Sequence, residues 1–422
     1  MNFQKFTIIL FFYFLNWFTP ISVGIPKRFN TSFSIKLVFG DCLVLEFYER
    51  EPPIPPGEFV RVGADDLRGF VSSIFRVHGV PEGDADVVAD VLVTADLFGI
   101  SSHGVQRVSR YIGGIRCGNV NVKPRISFHG RGAVGVVDGD NGLGHVVGVK
   151  CVEFALERVR DYGLSFILAK NSNHYGIAGY YALKFLDAGF IGFSSTNSEK
   201  LVSYVNSLGR FLGTNPIAIA IPTPHPPPIL FDAATSIIPV GKIELYSKLG
   251  RSIPEGWVID CEGNMLSGDA KRVLELIREA KASILPLGGL GEDYGGHKGS
   301  GLAFIVDIIC GVLSGAAWGI HVGYTIGSRP ANVGHAFAAI DIESIMPRSE
   351  FLSRVEQYIA EVKSLPKHPK ADKVWIPGEK AWLTMQTRLK IGIPLHLNVY
   401  NELHRLAVES GLVRELKIIS RC

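Results

Sequence analysis

The chain has 422 residues, 47% hydrophobic and 20% charged, with 43 Lys and Arg against 40 Asp and Glu. That much apolar material supports a substantial core and excludes charge-rich disorder for most of the length. The net charge of +3, carried by scattered basic residues without interleaved aromatics, argues against nucleic acid as a partner.

The first 58 residues stand apart from the rest. Residues 7–21 form an apolar stretch of 15, too short for a membrane span and closer to a signal-peptide core. Pro52, Pro53, Pro55 and Pro56 follow as linker chemistry. The reading favoured is a leader belonging to an upstream start, outside the working protein. A self-sufficient cytoplasmic body then begins at Phe59, and a membrane is not expected as a partner.

Apolar periodicity predicts helices over residues 65–78 and 82–97, then a loop, then a helix over 105–115. Strand 133–137 meets the turn at Asp138-Gly139, and a helix covers 146–161. Strand 165–170 runs into the Asn- and Gly-rich loop at Asn171, followed by helix 177–188 and strand 190–196. Strands at 216–221 and 229–231 flank a Pro-rich turn. A glycine-rich stretch, 288–301, opens an apolar helix over 302–313. Strand 336–342, an amphipathic helix over 349–364, and helices over 378–390 and 399–409 complete an α/β pattern.

Two glycine signatures fail on physical grounds. Gly130, Gly132 and Gly135 match GxGxxG, but Val134 to Val137 continues as a strand, so no helix N-terminus meets a pyrophosphate. Gly142, Gly144 and Gly148 do open a helix, but the acidic residue expected about 20 positions on is replaced by Lys170. A close-packed helix entry is the preferred reading there.

Chemistry concentrates elsewhere. In SSHGVQR, His103 and Arg107 are four apart and share a side if the stretch is helical. Histidine serves as base or polariser near neutral pH, and arginine grips a carboxylate with two donors. A capped helix with a solvated arginine is the plain alternative. His174 sits in a loop at a strand end, where α/β proteins place reactive groups. Asp232 ends a strand before Thr235 and Ser236, with Lys242 following. Lys298 lies among glycines ahead of a helix, where amides could receive a phosphate. Gly299 stands where a Walker loop needs Ser or Thr, so ATP use is disfavoured. The six cysteines form no Cys-x-x-Cys pair, so a zinc site or disulfide scaffold is not expected and no metal is assigned. His174 with His145 or His129 remains the one open ligand pairing. Ser102 beside His103 is a poor hydrolase pair, because adjacent residues do not easily form a nucleophile–base bond.

From about Phe59 to Gly411 the chain resembles the type-2 malate/L-lactate dehydrogenase family, nearest to its archaeal malate dehydrogenases. The resemblance rests on ADLFGISSHGVQRVSRY, VDGDNGLGHVVG, NSNHYGIAGYYAL, LGTNPIA, DAATSIIPVGK and GGHKGSGLAF. It implies a non-Rossmann α/β fold with a largely antiparallel sheet in the cofactor domain, a helical shell, and a homodimer. It implies NAD or NADP as cofactor and a small 2-hydroxy or 2-oxo acid as substrate. His174 becomes the proton acceptor, and His103 and Arg107 line the substrate pocket. His174, Ser198, Asp232, Lys298 and Asn332 become cofactor contacts. The body is expected to divide into a helical part over about 59–125, a cofactor part over about 126–340 and a C-terminal helical part over about 345–411, with 412–422 as a tail.

Three departures stand out. Residues 199–207 replace the family's usual proline and Pro-Thr-Gly-Gly turn, Ser300 replaces an aromatic, and residues 1–58 have no counterpart. The leading expectation is interconversion of malate and oxaloacetate, with Lys242 as partner for the second carboxylate and Lys200 a weaker choice. Sulfolactate or lactate oxidation by the same residues is the nearest rival. A non-catalytic nucleotide-binding relative is the rival of another class.

Overall fold

The apolar runs of the middle of the chain form a seven-stranded sheet. In the computed structural model, which describes residues 33–37 and 45–421, the strand order is Ile229–Ala233, Ile217–Ile221, Ile191–Thr196, Val333–Ile340, Leu164–Ser172, Val134–Asp138 and Ser127–Arg131. Every neighbouring pair is antiparallel except Leu164–Ser172 with Val134–Asp138. The sheet is thus not the doubly wound parallel one, and the fold is α/β of the largely antiparallel kind expected. Alternation separates its faces. Ile167, Ala169, Phe337 and Ala339 pack with Cys151, Tyr181 and Phe185 of the helices Gly144–Tyr162 and Ala178–Asp187. Leu168 and Ala336 face the other way, onto Val306 and Cys310 of the segment Gly296–Leu313.

Both glycine signatures resolve structurally. Gly130 and Gly135 are cross-strand partners in a hairpin, and no helix starts between them. Gly144 opens its helix hard against the neighbouring loop, where an added Cβ would lie 2.0 Å from the Asn173 carbonyl.

A second sheet, of five strands, was not foreseen. It orders Met265–Asp269, Ser252–Asp260, Ala282–Ile284, Val202–Ser203 and Arg210–Leu212, and packs through Val258, Ile284 and Leu212 on helices Val240–Lys248 and Ala270–Arg278. Its longest strand hides its alternation, because Pro254, Glu255 and Gly256 sit at a register shift between Ile253 and Val258.

The remaining body is helical. Ala64–Val77, Glu82–Leu97, Val108–Arg116 and Leu397–Glu409 share one core. Arg348–Ser364, expected to be amphipathic, buries no residue. Residues 418–421 of the expected tail form a strand beside Phe59–Val62, in a small sheet completed by Ile393–His396. Strand Leu45–Glu49, grouped by sequence with the leader, lies against helix Glu379–Ile391: the Tyr48 and Arg50 amides donate to the Thr387 and Thr384 hydroxyls. The apolar stretch 7–21 falls outside the described residues.

Candidate active site

Strand directions gather the chemistry at one end of the seven-stranded sheet. Leu164–Ser172 and Ile191–Thr196 end where Ile217–Ile221 and Val333–Ile340 begin, since His335 pairs with both Ala169 and Thr196 and Ile217 with Ser195. The chain therefore leaves this edge at His174, Ser198 and Asp232 and enters it at Asn215 and Asn332. Buried groups fix those segments. The Asn332 side-chain carbonyl accepts from the Asn171 amide, and Asn215 accepts from the Ser198 amide and donates to the Ala303 carbonyl. Asp232 accepts from the Gly179 amide at the start of helix Ala178–Asp187, and burial raises its carboxyl to about 6.

The loop carrying His103 arrives from the helical body. Ser101–His103 and Val105–Arg107 are two short 3-10 turns joined at Gly104, and the α-helix expected from Val105 begins at Val108. The buried Asp96 carboxylate accepts from the Val105 amide at 2.8 Å, and a Cβ on Gly104 would collide with it at 2.1 Å. A second close approach, at Gly241, lets helix Val240–Lys248 reach Ser102 and Arg107. Both glycines are required by proximity alone.

His103 and His174 stack, with ring centroids 5.6 Å apart and planes 20° from parallel. Nδ1 of His103 is hydrogen-bonded to the Ser102 hydroxyl at 2.9 Å. Nδ1 of His174 lies 2.7 Å from the Tyr111 hydroxyl, and the Gly176 amide also donates to it at 3.3 Å. Burial and then the Arg107 and Arg110 charges hold His103 down at about 3; burial and then Arg110 and His103 hold His174 well below the ordinary imidazole value. Both rings are therefore neutral at pH 7. Two tautomers fit these contacts: a bare Nδ1 accepts from both Tyr111 and Gly176, whereas Nδ1–H donating to Tyr111 gives up the Gly176 bond and leaves Nε2 to accept a proton from a substrate.

Two arginines stand beside the imidazoles. Arg107 donates through Nε to the Ser102 carbonyl at 2.6 Å and meets Glu244 at 2.9 Å through one terminal nitrogen. Among the described residues, Glu244 is the one carboxylate paired with it. Arg110 is fully engaged: Glu199 takes both terminal nitrogens at 3.1 and 3.2 Å, Thr325 accepts from Nε at 3.2 Å, and Tyr324 lies 4.3 Å from the guanidinium. Both arginines line a cleft of about 490 Å³, with Glu199, Glu244 and Tyr324. Lys200 also lines it. Lys242 does not take the place expected of it, because its ammonium lies 4.8 Å from the Trp257 ring. Tyr111, Arg110 and Glu199 were not assigned roles from sequence. The first two lie in the recognised SSHGVQRVSRY stretch, and Glu199 in the departing segment.

The two other departures meet each other. Ser300, wholly buried, accepts from the Val205 amide at 2.9 Å, so the small side chain ties down the unusual 199–207 segment. Lys298 stands two positions into helix Gly296–Asp307, whose entry is wrapped by glycines. An added Cβ on Gly296 would lie 2.2 Å from the Gly289 carbonyl, so this wrap needs bare backbone. Amides at that helix start, with the Lys298 cation and the Ser198 and Asn332 side chains, suit the phosphates and hydroxyls of a dinucleotide.

Paired neutral imidazoles beside a guanidinium with a free edge suit proton transfer on a carboxylate-bearing molecule. Residues 62–404 match the family model described as malate/L-lactate dehydrogenase. The malate dehydrogenase of Pyrococcus horikoshii is 47% identical over 355 residues, covering 84% of this chain and 96% of that protein. The L-sulfolactate dehydrogenase of Methanocaldococcus jannaschii is 35% identical, covering 82% and 96%. A solved malate dehydrogenase structure from Pyrococcus horikoshii superposes with a TM-score of 0.79 at 44% identity, over 87% of this chain and 99% of that one. The chain belongs to the malate/L-lactate dehydrogenase family and is an oxidoreductase.

Proposed function

We propose that this protein interconverts malate and oxaloacetate in the cytoplasm, using NAD or NADP. The observation that carries the reading is the stacked His103–His174 pair, anchored by Tyr111, with the Arg107 and Arg110 charges acting on both rings. Malate is favoured among family substrates by the identity to the Pyrococcus protein and by a second arginine next to the first. The nicotinamide group supplies the hydride acceptor. His174, Ser198, Asp232, Lys298 and Asn332 would hold the nucleotide.

In the oxidation direction Nε2 of His174 takes the hydroxyl proton as the C–H hydride leaves. Tyr111 holds the ring in the tautomer that presents Nε2, and His103 bonds the same oxygen from the stacked position. Arg107 grips the carboxylate next to the reacting carbon through its free edge, since a planar guanidinium offers two parallel donors. The neutral imidazole is the working form in this direction, so malate oxidation should stay level from pH 8 down past 6.5. It should fall only well below that value.

The deciding experiment is a panel of initial rates of NADH and NADPH oxidation with oxaloacetate, pyruvate, sulfopyruvate and 2-oxoglutarate. Oxaloacetate should lead. A clear preference for sulfopyruvate or pyruvate would reassign the substrate, and no turnover of any would overturn the enzymatic reading. A homodimer belongs to the proposal as well. Leu302, Ile305, Ile308, Leu313, Trp318 and Ile320 expose 40% to 65% of their surface along one stretch, and a second copy would cover them. Sedimentation should give twice the chain mass.

A further inference from the structure

The two arginines of the cleft are in different states, and the difference rests on one residue. Among the described residues Arg107 keeps an edge free of protein carboxylates, whereas Arg110 has none: Glu199 occupies its fork with two parallel bonds at 3.1 and 3.2 Å. Thr325 takes the remaining Nε–H and Tyr324 covers one face of the plane. The pair is well shielded, at 11% exposure for the Arg110 side chain and 16% for Glu199. A side-chain carboxylate held in a guanidinium fork is, chemically, what the distal carboxylate of malate or oxaloacetate would be in the same fork.

We infer that Glu199 is a built-in rival of the substrate's second carboxylate. It holds Arg110 in the free enzyme and yields the fork when a four-carbon diacid binds, so that it sets the preference between diacids and monoacids. This rests on the reading of the cleft as a 2-oxoacid pocket with Arg107 on the first carboxylate. Several features support it beyond the ion pair. Arg110 immediately precedes Tyr111, whose hydroxyl lies 2.7 Å from His174, and its charge acts on both His174 and His103. Glu199 opens the segment 199–207. That segment is tethered at Val205 by Ser300, while Glu199 and Lys200 stand at the cleft, six and five positions before the tether. The handover needs no unpaired buried charge at any stage, because Arg110 exchanges one carboxylate for another and Glu199 moves toward Lys200 and the open cleft.

The readout is the ratio of kcat/KM for oxaloacetate to that for pyruvate, with NADH, in which effects common to both substrates cancel. Glu199→Ala should raise the ratio about tenfold or more, the scale set by one charged hydrogen-bonding pair. Adding formate to Glu199→Ala should refill the fork and bring the ratio back toward wild type, while any formate on Arg107 affects both substrates alike. Arg110→Gln should lower the ratio. Should Glu199→Ala fold poorly, Glu199→Gln keeps the side-chain length and one bond to Arg110, and should move the ratio in the same direction by less. An unchanged or lower ratio in both Glu199 variants, or formate without effect on the ratio, would overturn the inference. Failure of the malate reading looks different. Wild type would then reduce pyruvate or sulfopyruvate but not oxaloacetate, and appearance of oxaloacetate turnover in Glu199→Ala would still support Glu199 as the rival. Its non-appearance would count against it.

Discussion

At the scale of single residues, the imidazole pair divides two roles that sequence could not divide. His174→Ala should cut turnover by roughly 10²–10⁴-fold, the usual worth of a placed general base, with the fold intact by circular dichroism. His103→Ala is the matched control. If it costs more than His174→Ala, the proton moves through His103 and His174 orients. Tyr111→Phe should lower kcat by about 10–10²-fold while KM changes little, because it frees the tautomer without touching the substrate. His103, Arg107 and His174 were legible because each lies inside a contiguous motif. The contact of Lys242 with Trp257 was not legible, because Trp257 comes from a separate strand and nothing local signals that an indole will meet the ammonium. Lys242→Met should accordingly leave the oxaloacetate-to-pyruvate ratio near wild type. Glu199 was visible as a departure, but Arg110 lies 89 positions away, so the bond it makes could not be read.

At the scale of elements, the boundary drawn at residue 58 cuts through a built contact. Arg388 is 2% exposed, and its guanidinium is neutralised by Glu49 at 2.8 Å and Glu51 at 3.3 Å, while its other terminal nitrogen donates to the Asp96 carbonyl. Glu51 also accepts from the Ser101 amide and hydroxyl, at 2.9 and 2.6 Å, at the head of the His103 loop. The strap therefore joins helix Glu379–Ile391 to the loop that presents His103 and Arg107. A chain starting at Pro56 leaves Arg388 buried without a carboxylate partner, a loss on the order of 3–5 kcal/mol. It should melt lower than the full chain and bind oxoacids more weakly. Arg388→Met in the shortened chain should recover part of the melting temperature, which distinguishes a stranded charge from general loss of contacts. An unchanged melting temperature on truncation would show that the strap adds nothing. The strap was not legible for a physical reason. Its acids lie among prolines that read as linker, and their partner comes more than 330 positions later.

At the scale of the whole molecule, the sheet's antiparallel character was reached through resemblance, while the order of its strands was never in the periodicity. Elements announce themselves locally, but register and order are set by side chains that meet only in the fold. The same is true of its response to acid, which depends on buried histidines and aspartates from separate parts of the chain: His103, His145, His174, His335, Asp96 and Asp232. His145 and His335, both without exposed surface, are held at about 3 chiefly by burial. Asp96 and Asp232 are pushed up to about 7 and about 6, also chiefly by burial. A depressed histidine stabilises the fold above its unfolded value of 6.5, and that contribution drains away as pH falls toward 3, because the unfolded chain binds the extra proton. A raised aspartate works oppositely, since between its unfolded 3.8 and its folded value the native state holds the extra proton. Near pH 5 His145, His335 and His103, with the depressed His174 acting in the same direction, add protons to the unfolded state, while the two aspartates add about two to the native one. The histidines outnumber the aspartates, so stability should fall as pH drops below about 6, and more steeply below about 4.5, once the aspartates are protonated in both states. Asp96→Asn shifts the balance without losing the bond, because the amide oxygen can still accept from Val105. The offset from one aspartate is then lost, and between about pH 6 and 4.5 the fall with acid should be steeper than in wild type by about 1.4 kcal/mol per pH unit. Denaturant unfolding at half-unit pH steps measures both slopes. Parallel profiles for the two proteins would mean that Asp96 carries no extra proton in the native state at pH 5, and that the carboxylate facing Val105 is ionised there despite its burial.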